Sequence, residues 1–118
     1  MVDNINEETL SEVLKAASDA TRRSLLTQLV QQGPTRVTDL AAYYDMSLNA
    51  ISKHIKVLEK AGLVTRKAVG RVHWIEANLE PVAHIEQWFR QLKSIWELQL
   101  DKLDEILKNE NSEDNKND

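Results

Sequence analysis

Asn49, Ser52, Lys53 and Lys56 fall within eight residues and alternate with Ile51, Ile55 and Leu58. Amide, hydroxyl and ammonium groups at this spacing can grip a polyanion or hydrogen-bond to the edges of its bases. In a helix, the isoleucines and leucine share one face at spacings of four and three, and the polar four fall largely on the other. An asparagine can pair bidentately with adenine and a lysine can donate to guanine, so Asn49 and Lys53 are the base-edge candidates. Ser47 and Ser52 suit phosphate or flanking contacts, while Lys56, Arg66, Lys67 and Arg71 supply electrostatic affinity.

Short elements must position these groups. Thr38 can cap a helix that turns Leu40, Ala41 and Tyr44 inward, and Asp45 and Met46 leave room only for a tight turn before Ser47 restarts the chain as a helix ending at Gly62. Leu63 to Lys67 and Arg71 to Ala77 then read as strands joined through Ala68, Val69 and Gly70. Two helices followed by a basic hairpin is the layout of a winged helix-turn-helix, a mainly α fold with a small β-hairpin. Between Ser47 and His73 there are six Lys or Arg and one acid, Glu59, a local net of +5 in a chain whose formal charge is −4. Localised basicity is what a DNA footprint needs. Charge alone also allows a solvated basic surface, and the order of elements favours the footprint.

Upstream, Thr9 and Glu12 form a candidate capping box for a first helix with Leu10, Val13, Leu14 and Ala17 on one side. Asp19 can cap a second helix that runs to about Gln31 with Leu25, Leu26 and Leu29 inward, until Gly33-Pro34 ends it. Thr21, Arg22 and Arg23 lie in its first turns, where arginines oppose the helix dipole. Phosphate contact and ordinary surface placement are both open for them. A final helix can run from Pro81 to Lys108, roughly 42 Å at 1.5 Å per residue. Its apolar stripe, which includes Ile85, Trp88, Phe89, Leu92, Ile95, Trp96 and Leu103, is broader than one small domain can cover. The economical solution is a homodimer joined through this stripe and through Leu10, Val13 and Leu14 of the first helix. Trp88 and Trp96 could instead line a ligand pocket, but aromatic residues at helical spacing are more often interface core. The expected organisation is a flexible arm at 1–8, a DNA-binding core at 9–80, a dimerisation helix at 81–108 and a disordered acidic tail at 109–118.

The composition removes several classes of function. The chain has no cysteine, which excludes disulfides, thiolate metal sites and thiol catalysis. The N-terminus is polar and acidic and no window approaches transmembrane length, so a cytoplasmic location without membrane contact is expected. There is no internal repeat and no glycine-rich phosphate loop among three glycines. Asp101, Asp104 and Glu105 are interspersed with lysines and lack a histidine or metal signature, so no enzyme and no cofactor is expected. The acidic stretch from Glu97 onward could recruit another protein, or could simply keep the chain soluble. His54 can donate to a phosphate or pack against the first helices, and for His73 exposure or a cross-strand contact suffices.

The runs ASDATRRSLLTQL and VTDLAAYYDMSLNAISKHIKVLEKAGLV, followed by the Gly70-Arg71 wing, resemble the ArsR family of winged-helix transcriptional repressors. That resemblance implies a homodimer on double-stranded DNA, with Ser47, Leu48, Asn49, Ala50, Ser52 and Lys53 at the recognition-helix positions that face the major groove. Arg71 would correspond to the wing-tip arginine near the minor groove or its phosphates, and His54 matches an almost fixed histidine of the family's motif. The final helix resembles the branch without cysteine ligands, whose members often regulate their own or neighbouring genes. The family's cysteine site would align near Thr38 to Leu40 and is absent. Its second metal location on the last helix is not matched either, because His84 and Glu86 are two apart and share no helical face. No metal is therefore expected, and whether a small organic effector acts is open.

Overall fold

A computed structural model describes residues 6–116, with side chains through Glu110. The parts of the expected arm and tail at 1–5 and 117–118 lie outside the described residues. Elsewhere both overlap with helix, because α1 spans Glu7–Ala17 and α5 spans Val82–Lys116. The cap of α1 is Asn6, whose side chain accepts from the Thr9 N–H at 3.0 Å, with Glu7 and Glu8 following in the first turn. Both features favour an earlier start than the Thr9 and Glu12 box, since carboxylates there complement the helix dipole. Glu12 instead lies 3.6 Å from the Lys60 ammonium.

Helix α2, Ala20–Gln32, starts at the expected cap: an Asp19 carboxylate oxygen accepts from the Arg22 N–H at 3.0 Å. Next comes a feature absent from the sequence reading, the two-residue strand β1 at Thr35–Arg36. Helix α3, Val37–Tyr43, is capped at Arg36 with no side-chain hydrogen bond, not at Thr38. Pairing of β1 with Ile75 and Trp74 fixes the extended backbone up to Arg36, so the helix begins at once. Asp45, at φ 51°, makes the turn into α4, Leu48–Lys60, and Ser47 caps α4 by accepting from the Ala50 N–H at 3.1 Å.

Strands β2, Val64–Val69, and β3, Val72–Ala77, pair antiparallel with Val69 opposite Val72, and β1 adds to β3 on the other side, giving the order β1-β3-β2. The loop is therefore only Gly70-Arg71, shorter than the expected Ala68-Val69-Gly70 connection. Gly70, at φ 63°, supplies the left-handed backbone that a two-residue hairpin asks of its first loop position. At the other end of the hairpin, the Asn78 side chain donates to the Gly62 carbonyl at 3.0 Å and the Asn78 N–H donates to Leu63 at 2.8 Å. Gly62, at φ 76°, lets the chain leave α4 in a left-handed conformation, and a Cβ there would lie 3.2 Å from the Pro81 ring.

Two compact units result, one ending at Ile85 and one beginning at Glu86. In the first, Leu25, Leu29, Leu40, Ile51, Ile55, Leu58, Leu63 and Ile75 are essentially inaccessible to solvent, with Val13 and Ala16 beside them. The inward face of α1 is therefore Leu10, Val13 and Ala16, while Leu14 is exposed. Val82 and Ile85, from the first turn of α5, also pack on this core. The second unit is the remainder of α5, which continues past the expected end at Lys108. Of its large apolar side chains, Phe89, Leu92, Ile95, Trp96, Leu98, Leu100, Leu103, Ile106 and Leu107 are exposed and Trp88 is half-buried. Among the described residues, no helix is long and apolar enough to cross a membrane.

Candidate nucleic-acid interface

The buried Ile51, Ile55 and Leu58 orient α4, and their burial turns Leu48, Asn49, Lys53 and Lys56 to solvent, while Ala50, Ser52 and His54 are half-buried. Ser47 is exposed; its oxygen is engaged in the cap, and its hydroxyl proton is available for a further bond. On the wing, Lys67 and Arg71 are exposed, with Arg71 at the tip of the two-residue turn.

The six local cations are not equivalent. The Arg66 guanidinium lies 2.9 Å and 3.4 Å from the two carboxylate oxygens of Glu59, and Lys60 lies 3.6 Å from Glu12. Arg66 thus ties β2 to α4 and has part of its charge neutralised. Lys53, Lys56, Lys67 and Arg71 have no acidic partner within ion-pair distance among the described residues. These four carry the free positive charge of the face.

Between the start of α3, the exposed side of α4 and the wing lies a groove of about 310 Å³, lined among others by Arg36, Thr38, Leu48, Ser52, Arg71 and His73. Its two hydroxyls, its imidazole and the unpaired Arg71 suit a phosphodiester, whereas Arg36 is held by Asp39 at 2.9 Å. Sequence reasoning gave Arg36, Thr38 and His73 no place in the site. A two-residue strand has no periodicity, and only its pairing with β3 brings the start of α3 beside the wing.

Arg22 and Arg23 turn out to serve the preceding helix. Arg22 donates from Nε to the Ala16 carbonyl at 2.9 Å and from Nη2 to Lys15 at 3.0 Å, and Arg23 donates to Ala17 at 2.6 Å. Cations at the C-terminal carbonyls of α1 complement its dipole, which explains two arginines that α2 alone leaves unexplained. Thr21 is half-buried in the same turn. His54 faces this junction, with Nδ1 at 3.4 Å from Arg22 Nη1 and 4.0 Å from Asp19. The Asp19 carboxyl is held below its ordinary value, first by the hydrogen bond from the Arg22 N–H and further by the Arg22 charge, against an opposing desolvation. Among the described residues, no group of three or more His, Asp or Glu is placed to hold a metal ion.

Comparison with known proteins decides what this face belongs to. Residues 19–66, from the cap of α2 into the wing, match the model of the bacterial regulatory proteins of the arsR family. The chain is also 30% identical over 99 residues to the arsenical resistance operon repressor of Escherichia coli (strain K12), covering 83% of this chain and 81% of that one. This chain belongs to the ArsR family. An ArsR-like transcriptional regulator from Rhodococcus sp. RHA1 superposes with a TM-score of 0.77 at 28% identity, over 86% of this chain and 92% of that one. The homodimeric winged helix-turn-helix DNA-binding domain Mb0332 from Mycobacterium bovis superposes at 0.59 and 25% identity, over 78% and 83%. As an ArsR-family protein the chain is a DNA-binding transcriptional regulator, not an enzyme.

Proposed function

We propose that this ArsR-family regulator is a homodimeric repressor of its own or neighbouring genes that binds an inverted-repeat operator. The observation that carries the reading is the coincidence, on one face, of exposed Asn49 and Lys53 with the unpaired charges of Lys56, Lys67 and Arg71. Asn49 and Lys53 read base edges in the major groove, with Leu48 and Ala50 beside them offering apolar contact. Ser47, Ser52 and the groove beneath the wing hold the sugar-phosphate backbone, and the cations add salt-dependent affinity. Repression is supported by the E. coli relative, which is named as an operon repressor.

Homodimerisation is supported by the exposed apolar side chains of α5 and by the homodimeric M. bovis domain. The α5 residues Phe89, Leu92, Ile95, Trp96 and Leu103 are each more than two-fifths exposed in the protomer, an area that a second copy would cover. Trp88 is half-buried and lies beside Phe89, with ring centroids 5.0 Å apart and the rings tilted by 42°. Of the three α1 residues expected at the interface, Leu14 alone is exposed, because Val13 at 1% and Leu10 at 5% are already buried in the protomer. Arsenical sensing is not carried over from the relative: soft thiophilic ions select thiolates, and this chain has no cysteine.

Footprinting on the promoter of the chain's own gene tests the reading. Two protected half-sites are expected, one helical turn or about 34 Å apart and related by an imperfect inverted repeat. Equal protection of all sequences at moderate salt would remove the specific repressor.

A further inference from the structure

We propose that Arg22 and His54 form a positioning pair that sets the rotation of α4 about its axis, and so controls sequence discrimination without touching DNA. The inference rests on the reading of α4 as the base-reading helix. It starts from the donors of Arg22. Two of them are fixed on the carbonyls of Ala16 and Lys15 at the end of α1, and the Arg22 N–H is held by the Asp19 carboxylate. The guanidinium plane is thereby set by α1 and by the cap of α2, and the remaining nitrogen, Nη1, comes within 3.4 Å of His54 Nδ1.

An arginine has only donors, so this contact makes Nδ1 the acceptor and puts the imidazole proton on Nε2. At 4.0 Å the Asp19 carboxylate is beyond hydrogen-bonding reach of the same nitrogen, which leaves Arg22 as its partner. His54 is thus the point where three helices, α1, α2 and α4, are joined by polar contacts of defined direction.

Apart from the contacts of Glu59 with Arg66 and of Lys60 with Glu12 at its last turn, the α4 packing has no directed side-chain contact among the described residues. Ile51, Ile55 and Leu58 hold the helix by apolar burial, which is non-directional and tolerates a small rotation. A bidentate contact from Asn49 or a donor from Lys53 does not tolerate it, because a good base contact needs heavy atoms within about 3 Å and near-linear geometry. His54 adjoins Lys53 in sequence, and its side chain is only 21% exposed, so a bond at Nδ1 fixes the azimuth of the neighbouring reading residues.

The test is a double-mutant cycle read on two duplexes, one selected from random sequence by the wild-type chain and one a scramble of it. Arg22→Leu and His54→Leu should each lower the ratio of selected to scrambled affinity by roughly tenfold, the scale of one hydrogen bond to a charged group. The double variant should lose no more than either single one. Affinity for the scrambled duplex should stay unchanged, and His54→Asn, whose side-chain oxygen can accept where Nδ1 does, should restore discrimination. If Arg22→Leu melts before binding can be read, Arg22→Gln takes its place in the cycle. A loss confined to His54→Leu would make His54 a direct DNA contact and overturn the proposal. Additive losses would also overturn it, as would parallel losses on both duplexes. A wild-type chain that selects no sequence overturns the repressor reading itself, and the selection reveals that before any variant is made.

Discussion

At the scale of single residues, the turn between α1 and α2 gathers a cluster of directed polar contacts from three helices. Asp19 caps α2, Arg22 and Arg23 cap the end of α1, and His54 meets them from α4. Because the Asp19 carboxyl is held below its ordinary value of 3.8, its ionised form favours the folded chain. That contribution is complete above the ordinary value and is lost as pH falls through the lowered one. Melting curves at a series of acidic pH values should show wild type losing stability over that window relative to Asp19→Asn, which keeps a capping oxygen but carries no charge. On the reading face, Asn49→Ala should change the preferred base at one operator position, as measured by selection from random sequence. A uniform weakening on all duplexes would make Asn49 a positioning residue. Arg71→Ala should leave the preference intact and reduce the salt dependence of binding by about one unit of slope, as measured by fluorescence anisotropy across a salt series. Gly62→Ala places a Cβ 3.2 Å from the Pro81 ring on a backbone at φ 76°. Urea unfolding should show a loss of about 1–2 kcal/mol.

At the scale of elements, α4 illustrates how little local information a helix needs in order to present a surface. One apolar face at spacings of four and three, a serine cap and a glycine after the last turn define it, and the structure reproduces all three. Helix α5 is the opposite case, because its apolar residues are plain in the sequence yet find no cover within the second unit. Replacing both Leu92 and Trp96 with glutamate should dissociate the proposed dimer and weaken operator binding through loss of the paired half-site contacts. Sedimentation equilibrium across concentration, run beside operator titration, checks this. A monomer that keeps full specific affinity would remove α5 from the interface, which is otherwise expected to bury roughly 2,000 Å² or more.

At the scale of the molecule, charge is divided as a regulator of DNA requires. The chain is acidic overall, with a formal net of −4, yet α4 and the wing carry Lys53, Lys56, Lys67 and Arg71, which have no acidic partner within ion-pair distance among the described residues. The acidic remainder opposes indiscriminate attachment to nucleic acid, so affinity depends on docking this one face.

What the sequence determined by itself was whatever short-range periodicity and capping chemistry encode. The inward residues of α4, the Asp19 and Ser47 caps, the hairpin and the exposed polar set Asn49, Lys53 and Lys56 are all of this kind, because each depends on residues a few positions apart. The exact start of α1 slipped because Asn6 and Thr9 are equally plausible caps in isolation, and the first acidic turn decides between them. Tertiary structure alone decided the remainder. It brought β1 against β3 and so placed Thr38 and His73 in one groove, and it neutralised Arg66 with Glu59 and Lys60 with Glu12. It also committed Arg22 and Arg23 to the carbonyls of α1 and carried one arginine on to His54, 32 residues away in sequence. Sequence pattern records which side chains carry charge, but whether a charge is free or paired depends on which elements pack together, and that is settled only when the apolar faces close on a shared core.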